Sequence, residues 1–297
     1  MPFTPKSMFK DSATDAIAIV LFGDSGAGKT TMLDSLPEGE TLIGSIEGGL
    51  SVLKKDHAYE EFLMPSLKNP RTFTEKFNDM YNHLRFEDHP YKFVAIDSTS
   101  EMERYLQYSM CYAASKQVPT LNHYGSAAAI MRKTIMEFRD LKKAGNNKVG
   151  RGIHVIFLAG SFPLETLKTE DTTLTRRFPL LTKKFSQEIC GLVDIVAHLE
   201  TDTNGTRLLR MHPTSEVMAK TRFDHRNIVQ KNAAMPIDLL AEVIQPAIDH
   251  QQKKGASQAK TATGTGGSTA GSTKPAGSAN ANSAASRPSG GMLPHKK

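Results

Sequence analysis

The chain of 297 residues contains only two cysteines, Cys111 and Cys190. They are far apart and outside any metal-ligand spacing, which excludes a disulfide framework and a cysteine-based zinc site and leaves two buried, reduced thiols. No apolar run approaches the ~20 residues that a membrane-spanning helix needs. Residues 1–12 hold no apolar stretch of the signal-peptide type, so a cytoplasmic protein without a membrane partner is expected. The ten histidines form no H-E-x-x-H set, and the serines, histidines and aspartates give no nucleophile signature. Acidic residues are absent from the last stretch: from Lys253 to Lys297 there are basic residues at 253, 254, 260, 274, 287, 296 and 297 and no Asp or Glu. The net charge of +6 therefore belongs to this stretch, and residues 1–252 carry −1. A body without basic excess confines any nucleic-acid contact there to a local patch.

Two parts are expected. Residues 253–297 are dominated by Gly, Ala, Ser, Thr, Asn and Lys, with Met292 and Leu293 as their only large apolar residues. Such a composition cannot offset the entropy of folding and predicts a disordered tail. It reads as a flexible linker, or as a dilute cationic arm that presents its end to a partner. Residues 1–252 alternate strand and helix signals. Apolar runs at 16–22, 41–46, 93–96, 153–159 and 192–199 suit strands covered on both faces. Residues 99–114 read as a helix. Ala127, Ile130, Met131, Ile135, Phe138 and Leu141 fall on one face of another, with Gly145 as its expected stop. Asn204-Gly205 marks a hairpin turn before Arg207-Leu208-Leu209. Strands separated by helices predict an α/β domain with a mainly parallel central sheet flanked by helices.

Gly23-Asp24-Ser25-Gly26-Ala27-Gly28-Lys29-Thr30 fits G-x-x-x-x-G-K-[ST], directly after the apolar run 16–22 and before a short helical stretch with Met32, Leu33 and Leu36. Strand, glycine loop and helix are the arrangement in which this pattern cradles phosphate. The glycines let successive N–H groups point inward, and the helix start at Thr30-Thr31 adds to the anion site. Lys29 brings a cation to the β- and γ-phosphates, and the Thr30 hydroxyl ligates Mg²⁺. The expected ligands are ATP and Mg²⁺. Asp97 ends the run 93–96 and is placed to orient the metal, through water; alternatively it only caps the helix that starts near Thr99. No Glu follows Asp97, since Ser98 stands there. The remaining candidate for activating water is Glu47, after the run 41–46; the alternative is a solvated turn glutamate.

These features resemble the core of the RecA-type ATPases. In that superfamily the catalytic Glu follows the strand after the phosphate-loop helix, and an Asp ends the next core strand. Closer still is the phage-type AAA-family ATP-binding group, which includes RecA-core-only recombination ATPases of phages that promote single-strand annealing. The likeness rests on Gly23 to Thr30, Ile46-Glu47-Gly48-Gly49-Leu50, Ile96-Asp97-Ser98 and Ala219-Lys220-Thr221-Arg222, over residues 14–245. It implies a RecA-like P-loop fold, ATP hydrolysis and single-stranded DNA as partner. It also implies self-assembly into a ring or filament with shared sites, and a single-strand-binding protein or other recombination partner for the tail. Lys220 and Arg222 match a K-x-R pair that in related ring ATPases reaches a neighbour's nucleotide; the alternative is an exposed basic pair. Asn122-His123-Tyr124-Gly125 is expected to be a polar loop ahead of the long helix. The polar sensor that RecA-type members carry after the strand matching 153–159 is replaced by Gly160-Ser161.

Residues 161–184 follow that strand, where the resemblance places a DNA-binding loop. Lys168, Arg176, Arg177, Lys183 and Lys184, with Phe162 and Phe178, would suit phosphate neutralisation and base stacking. Lys142, Lys143, Lys148 and Arg151 form a second basic patch. The alternative is that both are solvated loops. Beside the annealing reading stand a ring helicase or other DNA motor and a non-motor adaptor or loader switched by ATP.

Overall fold

The computed structural model describes residues 16–168, 173–223, 227–230 and 236–253; side chains are described outside 165–174. The proposed tail lies outside the described residues, apart from Lys253. Among the described residues, one sheet of nine strands organises the domain. Its parallel part comprises β1 (Ala18–Gly23), β2 (Thr41–Ser45), β3 (Ala58–Glu61), β4 (Phe93–Asp97), β5 (His154–Ala159) and β8 (Ile195–Thr201). The spatial order is β3-β2-β4-β5-β1-β8, continued antiparallel by β9 (Arg207–Arg210) and β11 (Ile228–Gln230). The short β10 (Lys220–Thr221) pairs antiparallel with the start of β8.

The apolar runs become strands because both faces of the sheet are covered. Alternate residues along β1 and the Ile17 before it enter opposite cores: Ala18, Val20 and Phe22 on one side, Ile17, Ile19 and Leu21 on the other. The first face is packed by α1 (Thr72–Phe86), α2 (Thr99–Ala113), α3 (Leu121–Asp140) and α4 (Lys183–Leu192), through residues such as Phe77, Met102, Met131 and Ile189. The second is packed by the 3₁₀ turn Thr30–Ser35, through Met32 and Leu33, and by a helix over 239–253, through Leu239, Val243 and Ala247. The Asn204-Gly205 turn lies where expected, between β8 and β9.

Three expectations need correction. Asn122–Gly125 is the first turn of α3, because Nδ1 of His123 accepts from the Thr120 amide at 2.9 Å and so starts the helix earlier. That helix ends at Asp140, ahead of Gly145, which sits in a separate 3₁₀ turn. In place of a loop, β6 (Ser161–Lys168) and β7 (Thr173–Pro179) pair antiparallel in a two-stranded sheet of their own. Among the described residues no helix is long and apolar enough to cross a membrane. Both cysteines are buried and unpaired, and burial pushes the Cys190 thiol up to about 12.

Candidate nucleotide site

All six parallel strands point their carboxyl ends to one edge, where ligands bind in open α/β sheets. β1 lies between β5 and β8, so the loop leaving it opens at the middle of that edge. Gly23 is required where the loop starts, because a Cβ there would lie 2.2 Å from the Leu199 carbonyl oxygen of β8. Gly28 has φ +97°, and a Cβ on it would meet the Arg207 guanidinium at 3.1 Å. The loop turns through an Ala27 amide bond to the Asp24 carbonyl (3.2 Å); Asp24 and Ser25 are exposed and Ala27 is buried. Lys29 extends its ammonium across the loop to the carbonyls of Gly23 and Asp24, both at 3.0 Å. Burial lowers the Lys29 pKa, and the negative charges of Glu47, Asp97 and Asp24 offset part of that.

Thr30 opens the following 3₁₀ turn, with Thr31 beside it. The Thr30 hydroxyl donates to Oδ2 of Asp97 at 2.6 Å, joining two residues 67 positions apart. Asp97 is 2% exposed, and its Oδ1 is buried with no partner among the described residues. Burial raises the pKa of Asp97 against the lowering effect of the Thr30 bond, and Glu47 raises it further. A buried carboxylate oxygen without a partner, next to a hydroxyl, is the hard oxygen set that Mg²⁺ takes, so these residues fit the ion. The capping alternative for Asp97 fails, because α2 is capped by the Ser98 side chain, which accepts from the Glu101 amide.

Glu47 reaches the same place along β2. β2 pairs in parallel with β4, with Ser45 opposite Asp97, and the Glu47 amide donates to the Asp97 carbonyl at 3.2 Å. Its carboxylate is exposed at the sheet edge, and its charge is felt by Lys29, Asp97 and Glu101. Lys29, Thr30, Glu47 and Asp97 are thus brought together from three strand ends.

Arg177, expected on a DNA path, reaches the phosphate loop itself: its Nη1 lies 3.0 and 3.2 Å from the two carboxylate oxygens of Asp24. Arg207 at the start of β9 also reaches the loop, at Gly28. No motif marks Arg207 in the sequence; only the pairing of β9 with β8 brings it there. His198, at 2% exposure, packs its ring 4.7 Å from that of Phe22 beneath the loop. Burial pushes the His198 pKa down to about 4, so it is neutral at pH 7.

The other candidates lie elsewhere. Phe178 is 5% exposed and offers no face for base stacking, whereas Phe162 packs against the same core but is only partly buried. Arg176 donates to the Ser215 carbonyl at 3.4 Å, and Lys183 and Lys184 are exposed at the start of α4. The Lys168 side chain lies outside the described residues. In the second patch, Lys142 is bound to Asp194, Lys148 pairs with Asp88, and Arg151 donates to the His89 carbonyl. Lys220 and Arg222 lie at the amino ends of β1 and β8, a strand length from this chain's own phosphate loop. The Lys220 ammonium donates to the carbonyls of Cys190 (3.0 Å) and Val193 (2.8 Å) at the end of α4. Arg222 pairs with Asp194 at 2.9 Å and keeps half of its side chain exposed. At the expected sensor position, the Gly160 amide donates to Ser100 Oγ at 3.0 Å.

A family model described as AAA domain matches residues 15–223, from the start of β1 past β10. The chain belongs to this AAA domain family. The match takes in the phosphate loop, Glu47, Asp97, the β6–β7 hairpin and the Lys220-Thr221-Arg222 segment, and it accords with a nucleotide-binding P-loop domain. A search of curated proteins returned no match.

Proposed function

We propose that the protein is a Mg²⁺-dependent ATPase acting on single-stranded DNA in recombination or strand annealing of the phage type. The observation that carries the ATPase part is the convergence of Lys29, Thr30, Glu47 and Asp97 on one sheet edge, with Asp97 Oδ1 buried and unpartnered. The amides of the loop 23–30 and the Lys29 ammonium bind and orient the phosphates, where fixed donors act without reorganising. Thr30 Oγ1 and Asp97 would hold Mg²⁺, Asp97 through water; the ion neutralises charge on the phosphate oxygens. Glu47 accepts the proton of the attacking water from the adjacent strand end.

The DNA part is supported by the position of the β6–β7 hairpin, which leaves the carboxyl end of β5 beside the phosphate loop and is followed by exposed Lys183 and Lys184. With Phe178 buried and Phe162 half-buried, recognition on this path rests mainly on the nucleic-acid backbone and is salt-dependent. Self-assembly is supported by Arg222, whose half-exposed guanidinium at the far edge is available to a second copy; Lys220 positions the segment by holding the end of α4. The test is steady-state ATP turnover with and without single-stranded DNA, alongside strand-annealing and unwinding assays. DNA-stimulated turnover with annealing and no unwinding supports the reading. Unwinding assigns a motor instead. Slow turnover indifferent to DNA assigns a nucleotide-switched adaptor.

A further inference from the structure

The loop that would receive an anionic ligand has one negative side chain, Asp24, and that side chain is held by an arginine 153 positions away. Both partners are partly exposed, 42% for Arg177 and 61% for Asp24, so the pair is weakly held and easily exchanged. Arg177 is also gripped through its main chain. Its amide donates to the Glu216 carbonyl at 2.7 Å, and its carbonyl accepts from the Met218 amide at 3.0 Å. These two bonds form a parallel bridge with Val217, which is buried in the same core as Phe178. From Val217 the chain runs down β8 to Lys220 and Arg222. The hairpin's exit is tied to α2, whose buried Glu103 accepts from both the amide and the hydroxyl of Thr182.

We propose that Arg177 is this protein's own triphosphate-sensing contact: its guanidinium leaves Asp24 for the terminal phosphate of a bound nucleoside triphosphate. Its main chain then carries the shift to β7 and to the segment 214–222. This rests on the reading of the phosphate loop as a nucleoside triphosphate site. The chemistry favours the exchange. Asp24 offers one carboxylate in an exposed pair, whereas a triphosphate seated among the loop amides offers several charged oxygens that an arginine fork can engage in pairs. The contact comes from within the chain and from the hairpin that follows β5, where Ser161 Oγ lies 3.5 Å from the same guanidinium nitrogen.

The test compares the full chain with Arg177→Ala and Arg177→Lys. Calorimetric titration with ADP and with a non-hydrolysable ATP analogue, both with Mg²⁺, is run beside amide hydrogen exchange of peptides spanning 173–179 and 214–222. In the parent chain the ATP analogue, and not ADP, is expected to change exchange in both peptides. In Arg177→Ala that difference disappears. Analogue affinity falls about tenfold, the scale of one lost charge-assisted bond, while ADP affinity moves less than twofold; Arg177→Lys restores part of the loss. Thermal melting of each variant shows that it is folded. The proposal is overturned if the analogue–ADP difference in exchange survives in Arg177→Ala, or if the parent chain binds both nucleotides and shows no difference. Binding of neither nucleotide by the parent chain overturns the phosphate-loop reading itself and this proposal with it.

Discussion

Replacing Asp97 by Asn should move stability in opposite directions without and with ligand. The carboxylate is 2% exposed, one oxygen accepts from the Thr30 hydroxyl, and the second has no partner among the described residues. Burial raises its pKa, so the folded chain holds this proton more tightly than the unfolded chain does. Such a group costs stability as pH rises past its unfolded value, and the cost is complete once pH has passed the folded value. Asparagine keeps the shape and an acceptor for Thr30 and removes the charge. The free protein should therefore gain on the order of 1 kcal/mol, a rise in Tm of about 2–4 °C for a domain of this size. With Mg²⁺ and nucleotide at a hundredfold excess over Kd, the parent chain should gain about 2.7 kcal/mol. At the same conversion that is a rise of about 5–11 °C. In the variant the Mg²⁺-dependent part of that rise should vanish. Differential scanning fluorimetry with ADP or ATP analogue, with Mg²⁺ and with EDTA, reads all four states. A variant that melts several degrees lower when free, or that keeps the full Mg²⁺-dependent rise, refutes the role given to Asp97.

Further outcomes follow from other positions. Glu47→Gln should bind ATP with affinity within about threefold of the parent, since the carboxylate is exposed, and lose about 10²–10⁴-fold in turnover; retained turnover in a phosphate-release assay would remove Glu47 from the reaction. Arg222→Ala should leave nucleotide affinity unchanged and abolish turnover if the residue acts on a second copy; unchanged turnover would leave it as a partner of Asp194 alone. His154 is buried with its pKa pushed down to about 4, and its Nδ1 accepts the Ile17 amide, so it folds neutral. The unfolded chain binds this proton first, so stability should fall as pH drops from about 6.5 toward 4, by up to about 3 kcal/mol. His154→Gln should lessen the slope of that part of a Tm–pH curve, leaving the contribution of His198 over the same range.

The parallel strands were legible in the sequence because a strand covered on both faces is apolar along its run, as β1, β4 up to Ile96 and β5 after His154 are. The phosphate loop was legible because backbone geometry demands its glycines: at Gly23 the carbonyl of Leu199 leaves no room for a Cβ. Glu47 needed one tertiary fact, that β2 pairs with β4, and the pairing of Ser45 with Asp97 supplies it. Charged residues were the hardest to place, because a long cationic side chain takes its partner from the tertiary structure. Lys220 sits where the end of α4 presents carbonyls, Arg177 turns to Asp24, and Arg207 arrives with β9 at Gly28. Phe162 and Phe178 looked available for bases until the hairpin folded them against the core. The start of α3 was hidden because Asn122–Gly125 is poor in helix formers, and His123 compensates by holding the Thr120 amide.

The central claim is that the loop 23–30, with Asp97 beside it, holds a Mg²⁺-bound nucleoside triphosphate. Its most direct test is calorimetric titration of the full chain with ATP analogue in the presence of Mg²⁺, repeated with EDTA and with Lys29→Ala. One nucleotide per chain, with heat that is lost on removing either the ion or the lysine ammonium, is the predicted result. No heat from the parent chain, or binding indifferent to both changes, would contradict it.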